Sequence, residues 1–218
     1  MPDVTTLFVA MAGREPEGRD ADYLAWHALD HRPEIHRVAS LRGAQRLVST
    51  PACRAARLAG EDRYDGVDHV MTYLFADPGA VAALGDLARD LAGAGRMSWR
   101  LPSVEVATYD LAGTAAADRI DVSAEVLPWR PVRGVFLLVE EGKAPAEALT
   151  EVAGVAGAWW GRTDDRQITY CYLDDDPITT VGRLRPALAQ RWADGDVVPK
   201  LAAPFLVPVD FDWGRHLP

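Results

Sequence analysis

Hydrophobic positions change period repeatedly along this chain, and the changes mark out an element order. Thr5 to Ala12 is a short β-rich run, followed by a polar turn and then by Tyr23, Leu24, Trp26 and His27 at helical spacing, with Asp20 or Asp22 available as a cap. Pro33 is expected to interrupt this helix, and Pro33 to Ala39 to restart as a helical turn. Gly43 to Ser49 and His69 to Phe75 read as strands separated by a long Pro, Ala, Arg and Gly-rich loop. Val81, Leu84, Leu87, Ala88 and Leu91 recur every three or four residues up to a stop at Gly93 to Gly95, and Val104 to Tyr109 is a further strand. The order is β-α-β-β-α-β.

After a stretch of small residues and prolines the order repeats. Val132 to Val139 predicts a strand, Pro145 to Val155 a helix, and Gly157 to Arg162 and Gln167 to Leu173 two strands. A helix over Ile178 to Trp192 and a strand over Ala203 to Val209 complete the second set. Gly43-Ala44 matches Gly157-Ala158, Thr72-Tyr73 matches Thr169-Tyr170, and Asp77 matches Asp174. The second half is shorter between its middle strands and in its first helix. We therefore divide the chain into a first repeat over 1–112, a linker over 113–131 and a degenerate second repeat over 132–218. A four-stranded sheet with helices on one face leaves its other face apolar, so the two units are expected to pack sheet against sheet. The fold class is α+β: two tandem ferredoxin-like repeats forming a pseudo-dimeric α/β barrel, with room for a cavity between each sheet and its first helix.

Composition narrows the class of function. The chain has 218 residues, 49% hydrophobic and 25% charged, which is globular. A formal charge of -9 argues against a nucleic-acid partner, whose phosphates need a basic surface. No apolar run reaches membrane-spanning length, no basic leader precedes the first strand, and Cys53 and Cys171 sit in unlike surroundings, all of which fit a cytoplasmic protein. Between His31 and Arg63, however, seven arginines (Arg32, Arg37, Arg42, Arg46, Arg54, Arg57, Arg63) face only Glu34, Glu61 and Asp62. These cations either pair with surface carboxylates or meet an anionic ligand.

The densest polar and aromatic cluster runs from Trp26 to Arg37. His27 and His31 are four apart on a helix and share a face with Tyr23. Imidazole titrates near neutrality, and Asp30 or Glu34 stands close enough in sequence to tune it. His69 and Tyr73 point to one face of their strand, and Trp99 follows the second helix, so all three are candidate pocket residues. His27, His31, His36 and Glu34 also contain metal-ligating types, yet the H-E-x-x-H spacing is absent and Pro33 redirects the chain between them. No metal is expected. Phosphate-cradling glycine motifs are missing too.

Trp26-His27-x-x-x-His31-Arg32-Pro33-Glu34, followed by Gly43-Ala44-Gln45-Arg46, resembles the EthD-like branch of the dimeric α/β-barrel (ferredoxin-like) superfamily. That pattern is W-Y-x-x-x-H-x-P-E leading to a strand that ends near Q-R, and it is met at Trp26, His31, Pro33, Glu34, Gln45 and Arg46. His27 replaces the usual tyrosine, and Ala39-Ser40 the frequent Pro-Gly. The second half matches only in element order. The resemblance implies a one-chain form of a barrel normally made by two subunits, holding a small aromatic, lactone or polyketide-like ligand. A helix histidine acting on the ligand is common in the group and corresponds to His31. Some barrels of the superfamily bind haem through a histidine of the second half, where this chain offers only His216.

Together these readings predict a cofactor-independent enzyme acting on a small aromatic or polyketide-like, anionic metabolite, by isomerisation, cyclisation, lactone rearrangement or decarboxylation. His31, His27 and Asp30 are the catalytic candidates, and Tyr23, Trp26, Arg46, His69, Tyr73 and Trp99 the binding candidates. Its partner is a small molecule rather than a nucleic acid or a membrane, and the pseudo-dimeric chain is compatible with a homo-oligomer. The alternative is a non-catalytic binding or accessory protein using the same cavity.

Overall fold

The computed structural model describes residues 3–217, so the outermost residues of both repeats (1–2 and 218) lie outside it. The first half contains strand β1 (Thr6–Ala12), helix α1 (Asp20–Trp26), a π turn (His27–His31), helix α2 (Arg32–Ile35), and strand β2 (Leu41–Val48). Helix α3 (Pro51–Ala55), the two-residue strand β3 (Ala59–Gly60) and a 3-10 turn (Asp62–Gly66) occupy the long loop. Strand β4 (His69–Phe75), helix α4 (Ala80–Gly93) and strand β5 (Ser103–Ala116) follow. The second half comprises β6 (Gly134–Gly142), β7 (Val155–Arg162), β8 (Arg166–Leu173), α5 (Pro177–Ala193) and β9 (Val197–Phe205).

All nine strands join one sheet in the order β2-β4-β1-β5-β7-β8-β6-β9-β3. Each half contributes the same antiparallel sub-order, and β5 pairs with β7 from Asp110 to Ala116. Val48 and Leu206 close the circle through an isolated antiparallel bridge between the end of β2 and the residue after β9. The barrel interior is apolar. Leu7, Val9, Met11, Val70 and Leu74 from the first half meet Val135, Leu137, Val139, Ile168, Tyr170 and Tyr172 from the second. Thr72 Oγ1 and the Tyr170 hydroxyl satisfy each other across that interior at 2.7 Å, as buried polar groups must.

The opposite face of each half-sheet carries the helices. Ile35 and α4 residues Ala80 and Leu84 pack on Met71, Tyr73 and Phe75, while α5 packs on Phe136, Leu138, Cys171 and Leu173. Strand parity corrects one detail of the repeat. Ala44 pairs with Tyr73 and Ala158 with Cys171, each just past a bulge, so Cys171 is the counterpart of Tyr73. Tyr170 corresponds instead to Thr72, and both point into the barrel.

Four elements differ from the sequence expectation. The helix does not stop at Pro33: the Arg32 N–H donates to the His27 carbonyl five residues back, and this wider turn lets the chain pass a proline that cannot donate to Leu29 and would crowd its carbonyl. The helix expected over Pro145 to Val155 is only a 3-10 turn, Glu147–Glu151, because Gly154 at φ +95° turns the chain directly into β7. Residues 113–116, expected in the linker, are strand, and the remainder of that segment carries a 3-10 turn at Ala124–Trp129. Strand β9 begins at Val197 rather than Ala203; a register shift between Val139 and Glu140 accommodates Pro199.

Candidate functional site

Helix α1 is fixed over the first half-sheet from its N-terminal end. Neither aspartate makes a side-chain cap hydrogen bond. Instead, buried Asp20 accepts from the Glu15 N–H at 3.0 Å and from His69 Nε2 at 2.6 Å, tying the helix start to β4. His69 is fully buried beneath Tyr23, ring centroids 5.8 Å apart, and does not line the cavity. Burial lowers its pKa, with the Asp20 hydrogen bond opposing. We therefore assign His69 an anchoring place rather than the ligand contact read from its strand parity.

Beyond this anchor, α1, the π turn, β1, β2, β4, α4 and the segment entering β5 enclose a cavity of about 300 Å³, within the size range of small-molecule sites. Tyr23, Trp26, His27, His31, Arg46, Tyr73 and Trp99 all line it. The rest of its wall is apolar, from Phe8, Ala10, Met71, Val81, Leu84, Met97 and Leu101, apart from the exposed Arg100 at its margin. Asp30 is not among the lining residues. Its carboxylate is paired with Arg96, which also binds Glu34 at 2.7 Å.

The polar side chains form a continuous patch. His31 stacks on Trp26, with centroids 5.0 Å apart and planes 19° from parallel, and lies 5.5 Å from the His27 ring. His27 is 3% exposed, with Nε2 3.4 Å from the Tyr73 hydroxyl. Arg46 donates from Nη2 to the Tyr23 hydroxyl at 2.9 Å, its guanidinium carbon 5.2 Å from that ring's centroid. Three buried polar atoms of this patch have no hydrogen-bond partner among the described residues: Trp26 Nε1, His31 Nδ1 and Arg46 Nε.

Electrostatics follow from burial and from Arg46. Burial, and then the Arg46 charge, hold His27 well below its ordinary pKa and His31 below it too, with Asp30 partly opposing at His31. Burial pushes the Tyr73 phenol up. At neutral pH the patch therefore presents two neutral imidazoles, a neutral phenol and the Arg46 guanidinium, which has no ion pair among the described residues.

Residues that sequence reasoning missed come from two places. Phe8, Ala10 and Met71 share strand parity with Tyr73 or its partners, so alternation alone could have named them. Met97, Arg100 and Leu101 lie in the irregular segment before β5, where no period exists; Arg19 lies 4.7 Å above the Trp99 ring in the same segment.

In the second half the corresponding space between sheet and helix is filled among the described residues. Trp160, Phe136, Leu138 and Leu184 are buried between its sheet and α5, and Trp159 points into the barrel, donating to the Ala124 carbonyl at 2.7 Å. A haem does not fit there, since that space is filled by these side chains and His216 lies in the tail. Among the described residues no group of three or more His, Cys, Asp or Glu is arranged to hold a metal ion, and no helix is long and apolar enough to cross a membrane.

The sequence matches no family model and no curated protein. Solved structures do resemble the fold. A dye-decolorizing peroxidase from Bacteroides thetaiotaomicron superposes with a TM-score of 0.58 at 10% identity, covering 98% of this chain and 95% of its own. The protein DypB, in a manganese complex, gives 0.57 at 10% identity, covering 97% and 96%. A variant of chlorite dismutase from Candidatus Nitrospira defluvii gives 0.54 at 10% identity, covering 97% and 94%. At such identity the likeness concerns architecture alone: the described residues have the pseudo-dimeric α/β-barrel fold across both halves.

Proposed function

We propose that the chain is a cofactor-independent enzyme of the EthD-like type, carrying out proton transfer on a small, partly aromatic anion held in the first-half cavity. Isomerisation, cyclisation, lactone rearrangement and decarboxylation all fall within that chemistry. One observation carries the reading: a guanidinium only 8% exposed faces an apolar cavity with its Nε unpartnered, beside two further unpartnered polar atoms. An unpaired buried charge costs several kcal/mol, and a carboxylate or enolate on Arg46 relieves that cost. His31, neutral and partly exposed, is the group able to take a proton from the bound anion and return it. His27, against Tyr73, acts as its partner, and Asp30 tunes His31 from outside the cavity.

A second reading, a binding or accessory protein, is favoured by one feature. Among the described residues no carboxylate is hydrogen-bonded to His27 or His31, so no acidic partner there fixes a tautomer as in many acid/base pairs.

Denaturing mass spectrometry of the purified protein should release a co-purified aromatic anion, and the protein should show neither stoichiometric zinc nor a Soret band. With that compound, His31→Gln is expected to lower kcat by ~10² or more while its affinity changes little. Full kcat in the variant would overturn the assignment. Tight binding with no turnover in any variant would make the accessory reading the correct one.

A further inference from the structure

Arg46 and His27 face two chambers, not one. On the other side of α1 a second cavity of about 350 Å³ lies between α1, β2, the end of the inter-repeat segment and the tail after β9. The site just described does not use it. Its position follows from an asymmetry of the barrel. The seam between β5 and β7 pairs six residues of β5 between Asp110 and Ala116, whereas on the opposite side β9 is flanked by the two-residue β3 and, among the described residues, β2 meets the chain after β9 only at the Val48–Leu206 bridge, with backbone bonds of 2.9 Å each way. The second chamber lies past that bridge, where β2 and the chain after β9 are unpaired with each other.

Its walls are more polar and carry three arginines. Besides Arg46, they include Arg32, Gln45, Arg130 and Trp213, with the exposed Asp210 at the same chamber. Arg46 has no ion pair among the described residues, and its one side-chain hydrogen bond goes to a neutral tyrosine. Arg32 is similarly free, because the neighbouring carboxylates Asp30 and Glu34 are taken by Arg96 and Arg37. Arg130 is held loosely, 3.9 Å from Asp174. Arg32, Arg46 and Arg130 all line this one chamber together with His27.

We infer that the seam chamber is a second acid-binding subsite, so that the ligand carries two acidic groups: one on Arg46 beside an apolar body in the first chamber, the other on Arg32 and Arg130. This rests on the reading of Arg46 as an anion anchor and narrows its ligand class to apolar or aromatic diacids. A monoacid leaves Arg32 and Arg130 facing an empty polar chamber. A diacid neutralises both ends, with Asp210 disfavouring any further negative charge.

Two probes differing by one carboxylate test this. Calorimetric titration of the full chain with benzylsuccinate and with 4-phenylbutyrate should show the diacid binding roughly tenfold tighter, about the worth of one charge-assisted contact. In the double variant Arg32→Gln, Arg130→Gln that ratio should fall to about one, whereas Arg46→Gln should weaken both probes. Equal affinities in the unmodified protein, or a ratio that survives the double variant, would overturn the second subsite while leaving the first chamber's reading intact. Failure of both probes to bind at millimolar concentration would overturn the two readings together.

Discussion

Burying Arg46 without a carboxylate leaves its cost distributed over the neighbouring side chains, and the histidines record it. His27, His31 and His69 are all held below the ordinary value of 6.5, burial being the first cause in each case. Above about pH 6.5 folded and unfolded chains both keep these rings neutral, and the groups contribute nothing to the pH dependence of stability. As pH falls below that value the unfolded chain takes up protons first, so stability must fall until the folded-state values are reached. The melting temperature should therefore drop between pH 7.5 and 5.5, a window lying above ordinary carboxylate titration. His27→Gln, which removes the most depressed of the site rings named here, should flatten the drop; parallel melting curves for the two proteins, followed by circular dichroism, would show that His27 is not the group responsible. The same residues indicate what was legible in sequence. The shared face of Tyr23, Trp26, His27 and His31 needed only helical spacing, and Arg46 stood out as a cation in a strand. Asp30 acts to raise the His31 pKa, as its sequence position suggested, but neither it nor His69 reaches the cavity, because sequence neighbours and strand parity do not reveal Arg96 arriving from beyond α4, or Tyr23 lying over His69.

At the scale of elements, strands that are near-continuous apolar or β-branched runs buried on both faces were read to within a residue or two, as β4 and β8 were, while those built on small residues or interrupted by proline were not. Gly113-Thr114-Ala115-Ala116 carries no apolar rhythm, yet it forms the β5–β7 seam. Gly113 explains why small residues are there. A Cβ at that position would lie 2.2 Å from the Trp160 ring, so the indole that fills the second half's helix side needs a strand without a side chain at this point. Gly113→Ala should destabilise the protein by about 1–3 kcal/mol through overpacking. Trp160→Ala should cost roughly 3–5 kcal/mol through the cavity it leaves. In the double variant the two effects should fall well short of additivity, since the cavity accepts the new methyl group. Strict additivity in urea unfolding would mean that Gly113 is needed for the bulge beside it and not for the indole.

Across the whole molecule, the two halves divide the work unequally because one half-sheet spends its helix side on packing and the other leaves it open. Neither half-sheet is complete alone. The first exposes Leu7, Val9, Met11, Val70 and Leu74 if the second is removed, together with the unpaired edge of β5. An apolar face joined to a free strand edge drives association. Since both halves share one strand order, two copies of the first half can pair β5 of each with β2 of the other and rebuild a symmetric barrel. Expression of residues 1–116 should therefore yield a dimer or insoluble protein, and sedimentation velocity distinguishes the outcomes. A soluble, stable monomer would contradict the argument that sheet-to-sheet packing holds the halves together. A dimer would instead carry two open first chambers, each with its own Arg46, and should bind 4-phenylbutyrate at two sites where the full chain binds it at one.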